Sequence, residues 1–209
     1  VGLYTGPWNK LLSSVFPPDS PYTVTPREYL SVTATKEQSG LGDIDPEHQP
    51  HLSSMQFEVQ FESLPILLVL VSASAIVDVD LARRLADEEV RRQVDSLIGE
   101  SSMLDVSGNN EGNSPRPPAA TELCPLPTLR TITAFGHYMC TYTCDTAPES
   151  SDRHIQPPLA VVDSENRPAD TAPRERWNSD FLTEDGQRAF LDTVSKIREE
   201  CQKLEMESA

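Results

Sequence analysis

Leu64-Pro-Ile-Leu-Leu-Val-Leu-Val-Ser-Ala-Ser74 is the most apolar stretch of the chain, and a charged segment with helical spacing begins a few residues later, near Asp80. A short, unbroken apolar run of this kind suits a strand buried on both faces. The expectation is therefore a central strand that feeds a helix. The junction of strand and helix is a common place for catalytic groups, yet this run carries no ionisable side chain.

The elements around it follow from period and punctuation. Met55-Gln-Phe-Glu-Val-Gln-Phe-Glu62 alternates, so Met55, Phe57, Val59 and Phe61 should face a core, with Gln56, Glu58, Gln60 and Glu62 on the other side. Ser63-Leu64-Pro65 makes a tight connection, which predicts an antiparallel hairpin with the apolar strand. From Asp80 to Gly99, Ala82, Ala86, Val90, Val94 and Leu97 form a helical stripe, and arginines and acids cover the rest. Asp78 or Asp80 suits its start and Gly99 its end. Upstream, Gly6 to Phe16 reads as a short helix stopped by Pro17-Pro18, and Tyr22-Thr23-Val24 as a brief strand. Downstream, Thr131 to Thr143 is β-branched and aromatic, predicting one long strand or a pair bent at Gly136. Glu184 to Leu204 has Phe190, Val194, Ile197, Cys201 and Leu204 at helical spacing, with Thr183 as the cap. The result is one α/β (α+β) domain over residues 1–209, with polar, disordered loops at about 36–53, 100–121 and 146–170.

Composition narrows the function classes. Of 209 residues 37% are apolar and 18 are proline, which fits one modest core carrying long loops. A net charge of −16 argues against a nucleic-acid partner, because phosphate binding rests on Lys and Arg. A protein partner is compatible with it. The four cysteines are too few and scattered for a disulfide scaffold. The longest apolar run is too short to cross a bilayer, and no signal peptide opens the chain. The expectation is an intracellular protein, in cytoplasm or nucleus. Because the chain opens on Val1 rather than Met, a fragment with a targeting segment upstream is compatible with the same reading.

Residues able to carry chemistry form no convincing constellation. Cys140 and Cys144 share a strand face, but His137 has the opposite parity, so ordinary half-buried strand positions are the better reading than a metal site. His48, His51 and His154 lie in polar loops, no serine sits in a Gly-x-Ser-x-Gly elbow, and Gly40-x-Gly42 alone makes no phosphate loop. Arg83 precedes Asp87 by four residues and Arg84 precedes Glu88 by four, which predicts a solvated, salt-bridged helix face rather than an anion site. Glu58 and Glu62 would share a strand face and could hold a hard cation, although the exposed face of an edge hairpin is the simpler reading.

A resemblance rests on a series of segments in order: Gly6-Pro-Trp-Asn-Lys-Leu-Leu12, Phe16-Pro-Pro-Asp19, Phe57-Glu-Val59, Leu64-Pro-Ile-Leu-Leu-Val69, a helix containing Arg83 to Ala86 and Arg91-Arg92, Cys124-Pro-Leu-Pro127, Thr133-Ala-Phe-Gly136 and Asp170-Thr-Ala-Pro-Arg-Glu-Arg-Trp177. Together these resemble an uncharacterised family of mushroom-forming fungi whose typical members are similar to the restriction-endonuclease-like fold. The resemblance covers nearly all of the chain outside its polar loops. It implies a helix, a β-hairpin or sheet, a helix and a strand as the core, followed by a C-terminal helix. It also implies an acid-x-lysine pair at the end of the central strand and an Asp on the preceding strand. In such a site the carboxylates hold magnesium, which activates water, and the lysine positions it.

Here the acid position matches Leu70 and the lysine position Ser72, while the upstream Asp falls near Leu52 or Ser53. All three roles are vacant. The resemblance therefore implies a catalytically degenerate nuclease-fold protein: a binding or regulatory module, or a decaying paralogue, with no cofactor. The alternative is a magnesium-dependent nuclease whose ligands have migrated to Glu58, Glu62 or Asp45.

Overall fold

The computed structural model describes residues 2–33, 51–98, 124–146, 154–160 and 171–208. It is a mixed α/β structure: a six-stranded sheet with helices on both faces, closed by a C-terminal helix. Helix α1 spans Gly2–Val15, followed by β1 (Tyr22–Thr33), β2 (His51–Phe61) and β3 (Leu64–Ser72). A short 3-10 turn, Ser74–Ile76, leads into α2 (Asp80–Leu97), and then come β4 (Thr128–Phe135) and β5 (Tyr138–Asp145). A second 3-10 turn, Arg174–Trp177, precedes the two-residue β6 (Ser179–Asp180) and helix α3 (Glu184–Ser208). Among the described residues the strands lie in the order β1-β2-β3-β4-β5-β6. Each neighbouring pair is antiparallel except β3 and β4, which α2 connects in parallel.

The apolar run does form the centre of the sheet. Ile66 to Val71 are all buried, with β2 on one side and β4 on the other. Such a strand needs apolar side chains on both faces, because helices cover both. Arg130 of β4 and Glu200 of α3 pair at 2.7 Å on one face, and Trp8 of α1 stacks against Phe190 of α3 at 6.0 Å. Thr131 and Thr133 belong to the opposite face, which α2 and the Arg174–Trp177 turn cover. There Trp177 Nε1 donates to Thr133 Oγ1 at 3.0 Å.

Several expectations need correction. β1 is twelve residues long rather than three, because a register shift between Pro26 and Tyr29 breaks the period that would reveal it. Pro26 is tolerated since β1 is an edge strand and needs no second ladder. β2 begins at His51, so the end of the loop expected at 36–53 is strand. β2 also lies inside the sheet, so Gln56 and Glu58 are buried rather than exposed. Finally, neither Asp78 nor Asp80 caps α2: Asp78 meets Arg174 at 3.0 Å, and Asp80 pairs with Arg83. The rest of the three polar loops lies outside the described residues, apart from Thr146 and residues 154–160. In the latter segment Gln156 bridges to Thr143. At α3 the cap is as expected, Thr183 Oγ1 accepting from Gly186 N at 3.2 Å.

The strand pair expected around Gly136 is a hairpin, and its turn requires glycine. Gly136 has φ +64°, and a Cβ there would lie 2.5 Å from the Ser74 Cβ and 2.8 Å from Tyr4 Cζ. Its N–H donates to Ser72 O at 2.9 Å, which ties the hairpin to the end of β3.

The charged face of α2 is a buried polar node rather than a solvated surface. The Asp87 carboxylate, fully buried, accepts from Tyr142 Oη on β5 at 2.9 Å, Arg91 Nε at 2.8 Å and Arg176 Nη1 at 2.7 Å. Arg83, also buried, donates to the backbone oxygens of Val77 and Ala172, both at 2.9 Å. Buried charges persist when each is paired and hydrogen-bonded, and removing one partner is costly. Asp87→Ala should lose about 3–5 kcal/mol of unfolding free energy. Asp185→Ala, which breaks the exposed Arg188–Asp185 pair, should change stability by less than about 1 kcal/mol. Urea midpoints of the two variants check both values; equal, small shifts would contradict the node.

Candidate functional site

The end of β3, where the resemblance implies a metal site, is assembled from β2, β3 and β4. Cross-strand pairing sets Leu70 beside Gln56 and Thr133, and Ser72 beside Ser54 and Phe135. None of these four neighbours is ionisable. Leu70 and Ser72 are each only 3% exposed, and Leu52, one of the two candidates for the upstream acid, is 2% exposed. The other candidate, Ser53, pairs across to Ser31 on β1. A magnesium site needs several hard oxygen ligands, carboxylates above all. An aliphatic side chain at 70 and neutral hydroxyls at 72 and 53 do not fit that ion. The Ser54 and Thr131 hydroxyls on the same face are buried without a hydrogen-bond partner among the described residues. They add no charge.

Of the alternative ligands, the two that are described, Glu58 and Glu62, are not brought together. Glu58 is held by Arg27, with Nη2 to Oε1 at 2.9 Å and Nε to Oε2 at 3.2 Å, and Gln60 Nε2 donates to Oε1 at 2.6 Å. Both carboxylate oxygens are thus engaged in a bidentate fork. Glu62 follows the strand, exposed in the β2–β3 turn with φ 49°, so it does not share a strand face with Glu58. The turn starts one residue earlier than alternation suggested, since Glu62 and Ser63 both adopt positive φ. Asp45 lies outside the described residues.

The remaining candidates separate in space. His137 occupies the β4–β5 turn, its Nε2 3.9 Å from Asp180 Oδ1, whereas Cys140 and Cys144 are buried within β5. Among the described residues no three His, Cys, Asp or Glu side chains are grouped to hold a metal. His154 is exposed. On α2, burial raises the Glu88 carboxyl above its usual range while Arg84 pulls it down, so the expected i,i+4 partner does act on it. Among the described residues no helix is long and apolar enough to cross a membrane.

Sequence reasoning missed the Asp87 node. Its members come from α2, β5 and the Arg174–Trp177 turn, so local spacing links only Asp87 and Arg91, four residues apart on the helix. The weak available signal was Asp87 itself, an acid flanked by Ala86 and Val90 on the apolar stripe.

Cys140 sits beside Thr133 on the same face. Burial pushes its thiol up to about 12, against some lowering by a hydrogen bond with Tyr142. A thiol in that state is not a nucleophile at neutral pH. The folded chain therefore holds this proton more tightly than the unfolded one, whose thiol titrates near its ordinary value of 9.0. The resulting stability is fully present below pH 9 and is lost as pH rises toward about 12. In Cys140→Ser this contribution is absent, so urea midpoints of wild type and variant should converge between pH 9 and pH 12. A gap independent of pH would contradict it.

Compared with models of protein families, with curated proteins and with solved structures, the chain matches none.

Proposed function

We propose that this protein is a catalytically degenerate nuclease-fold domain that works as a non-enzymatic binding or regulatory module. The observation that carries the reading is the pair Leu70 and Ser72, standing where an acid and a lysine would be needed, both buried and without an ionisable cross-strand neighbour. The element order supports it: a helix, three antiparallel strands, a crossover helix and a parallel strand agree with the core implied by the resemblance. The engaged state of Glu58 argues in the same direction, since a carboxylate bound to Arg27 would have to give up that pair to take an ion.

Purified protein incubated with plasmid DNA or RNA and magnesium or manganese should leave both substrates intact. Calorimetric titration with either ion should give no saturable heat. Metal-dependent cleavage that disappears in Glu58→Gln would overturn the proposal and establish a nuclease with migrated ligands.

A further inference from the structure

On the far side of Gly136 from the β3 site, α1, the β4–β5 turn and the segment before α3 enclose a cleft of about 270 Å³. Its walls include Tyr4, Pro7, Trp8, Leu11 and Phe181, and His137 is its one lining residue of basic type. The polar ends of the two larger rings are already engaged. Trp8 Nε1 donates to Gly136 O at 2.9 Å, and Tyr4 Oη lies 2.9 Å from Ser74 Oγ. Their faces and edges are thus what the cleft presents, and Phe181 packs edge-on to Phe190 behind them. Leu182, 71% exposed, stands at the rim.

We infer that this cleft is a binding site for a small, uncharged, planar aromatic molecule of fused-bicyclic size bearing one N–H or O–H donor. Size follows from volume: an apolar cavity of about 150 Å³ is enough for benzene, so 270 Å³ takes a second fused ring. Aromatic walls favour a ring over an aliphatic chain, through offset and edge contacts. Walls this apolar penalise any ligand charge. The donor follows from His137. The His137 imidazole lines the cleft, with Nε2 3.9 Å from Asp180 Oδ1, and a neutral imidazole offers one ring nitrogen as an acceptor. Asp180 is itself fixed by the Leu182 N–H, 2.8 Å from Oδ1. This site shares no residue with the Leu70–Ser72 position and does not rest on the function proposed above.

Indole and benzothiophene, equal in size but with and without the donor, are the probes. In the full ¹⁵N-labelled chain, indole should shift the Trp8 side-chain N–H saturably. It should leave that of Trp177, bonded to Thr133 on the other sheet face, unmoved. Benzothiophene should bind roughly two- to ten-fold more weakly, the worth of one hydrogen bond. His137→Leu should erase that difference, and Leu11→Phe, or Leu182→Tyr should the first not fold, should weaken both probes. No saturable shift at Trp8, equal shifts at both tryptophans, or a preference for indole that survives His137→Leu would overturn the assignment.

Discussion

A buried carboxylate holds this domain together. Asp87 lies on the helix that makes the sole parallel crossover among the described strands, and three groups from other parts of the fold or helix donate to it: Tyr142, Arg91 and Arg176. One acid thus ties the crossover helix to the far half of the sheet and to the turn that delivers Trp177. Full desolvation of a carboxylate is costly, and it is offset here because hydrogen bonds reach both oxygens. The same desolvation presses on its neighbours. Tyr142 is held well above its ordinary pKa, first by burial and then by the charges of Cys140 and Asp87.

That arrangement explains the character of the sheet face beneath α2. The positions opposite the end of β3 carry serine, glutamine, threonine and phenylalanine, none of them charged. The charge on this face sits at Asp87 and at Glu58, and arginines balance both. A metal-dependent site would need carboxylates free to turn toward an ion, and Asp87 and Glu58 are both committed to arginines. The hairpin at Gly136 belongs to both faces: its N–H caps the end of β3, while its carbonyl receives the Trp8 indole on the other side.

Legibility in the sequence followed the range of the interactions. The central strand, the β2–β3 hairpin, the bend at Gly136 and the capped C-terminal helix all announce themselves through local period or turn chemistry. β1 was seen only in its first three residues, since the bulge after Pro26 disrupts alternation. The polar side of β2 was misassigned to solvent because alternation separates two faces without saying what covers each. The resemblance alone singled out Leu70 and Ser72 for attention, whereas the Arg27–Glu58 fork, spanning 31 residues, left no signal along the chain.

By itself, then, the sequence determined most of the strands and helices, and that the core strand carries no charge. Those are properties of single residues and of spacing along the chain. Tertiary structure decided which polar side chains are buried, which carboxylates are already paired, and where aromatic rings converge into a cleft. Those depend on contacts between residues far apart in the chain, such as Trp8 and Gly136, 128 positions apart, and no one-dimensional period records such distances.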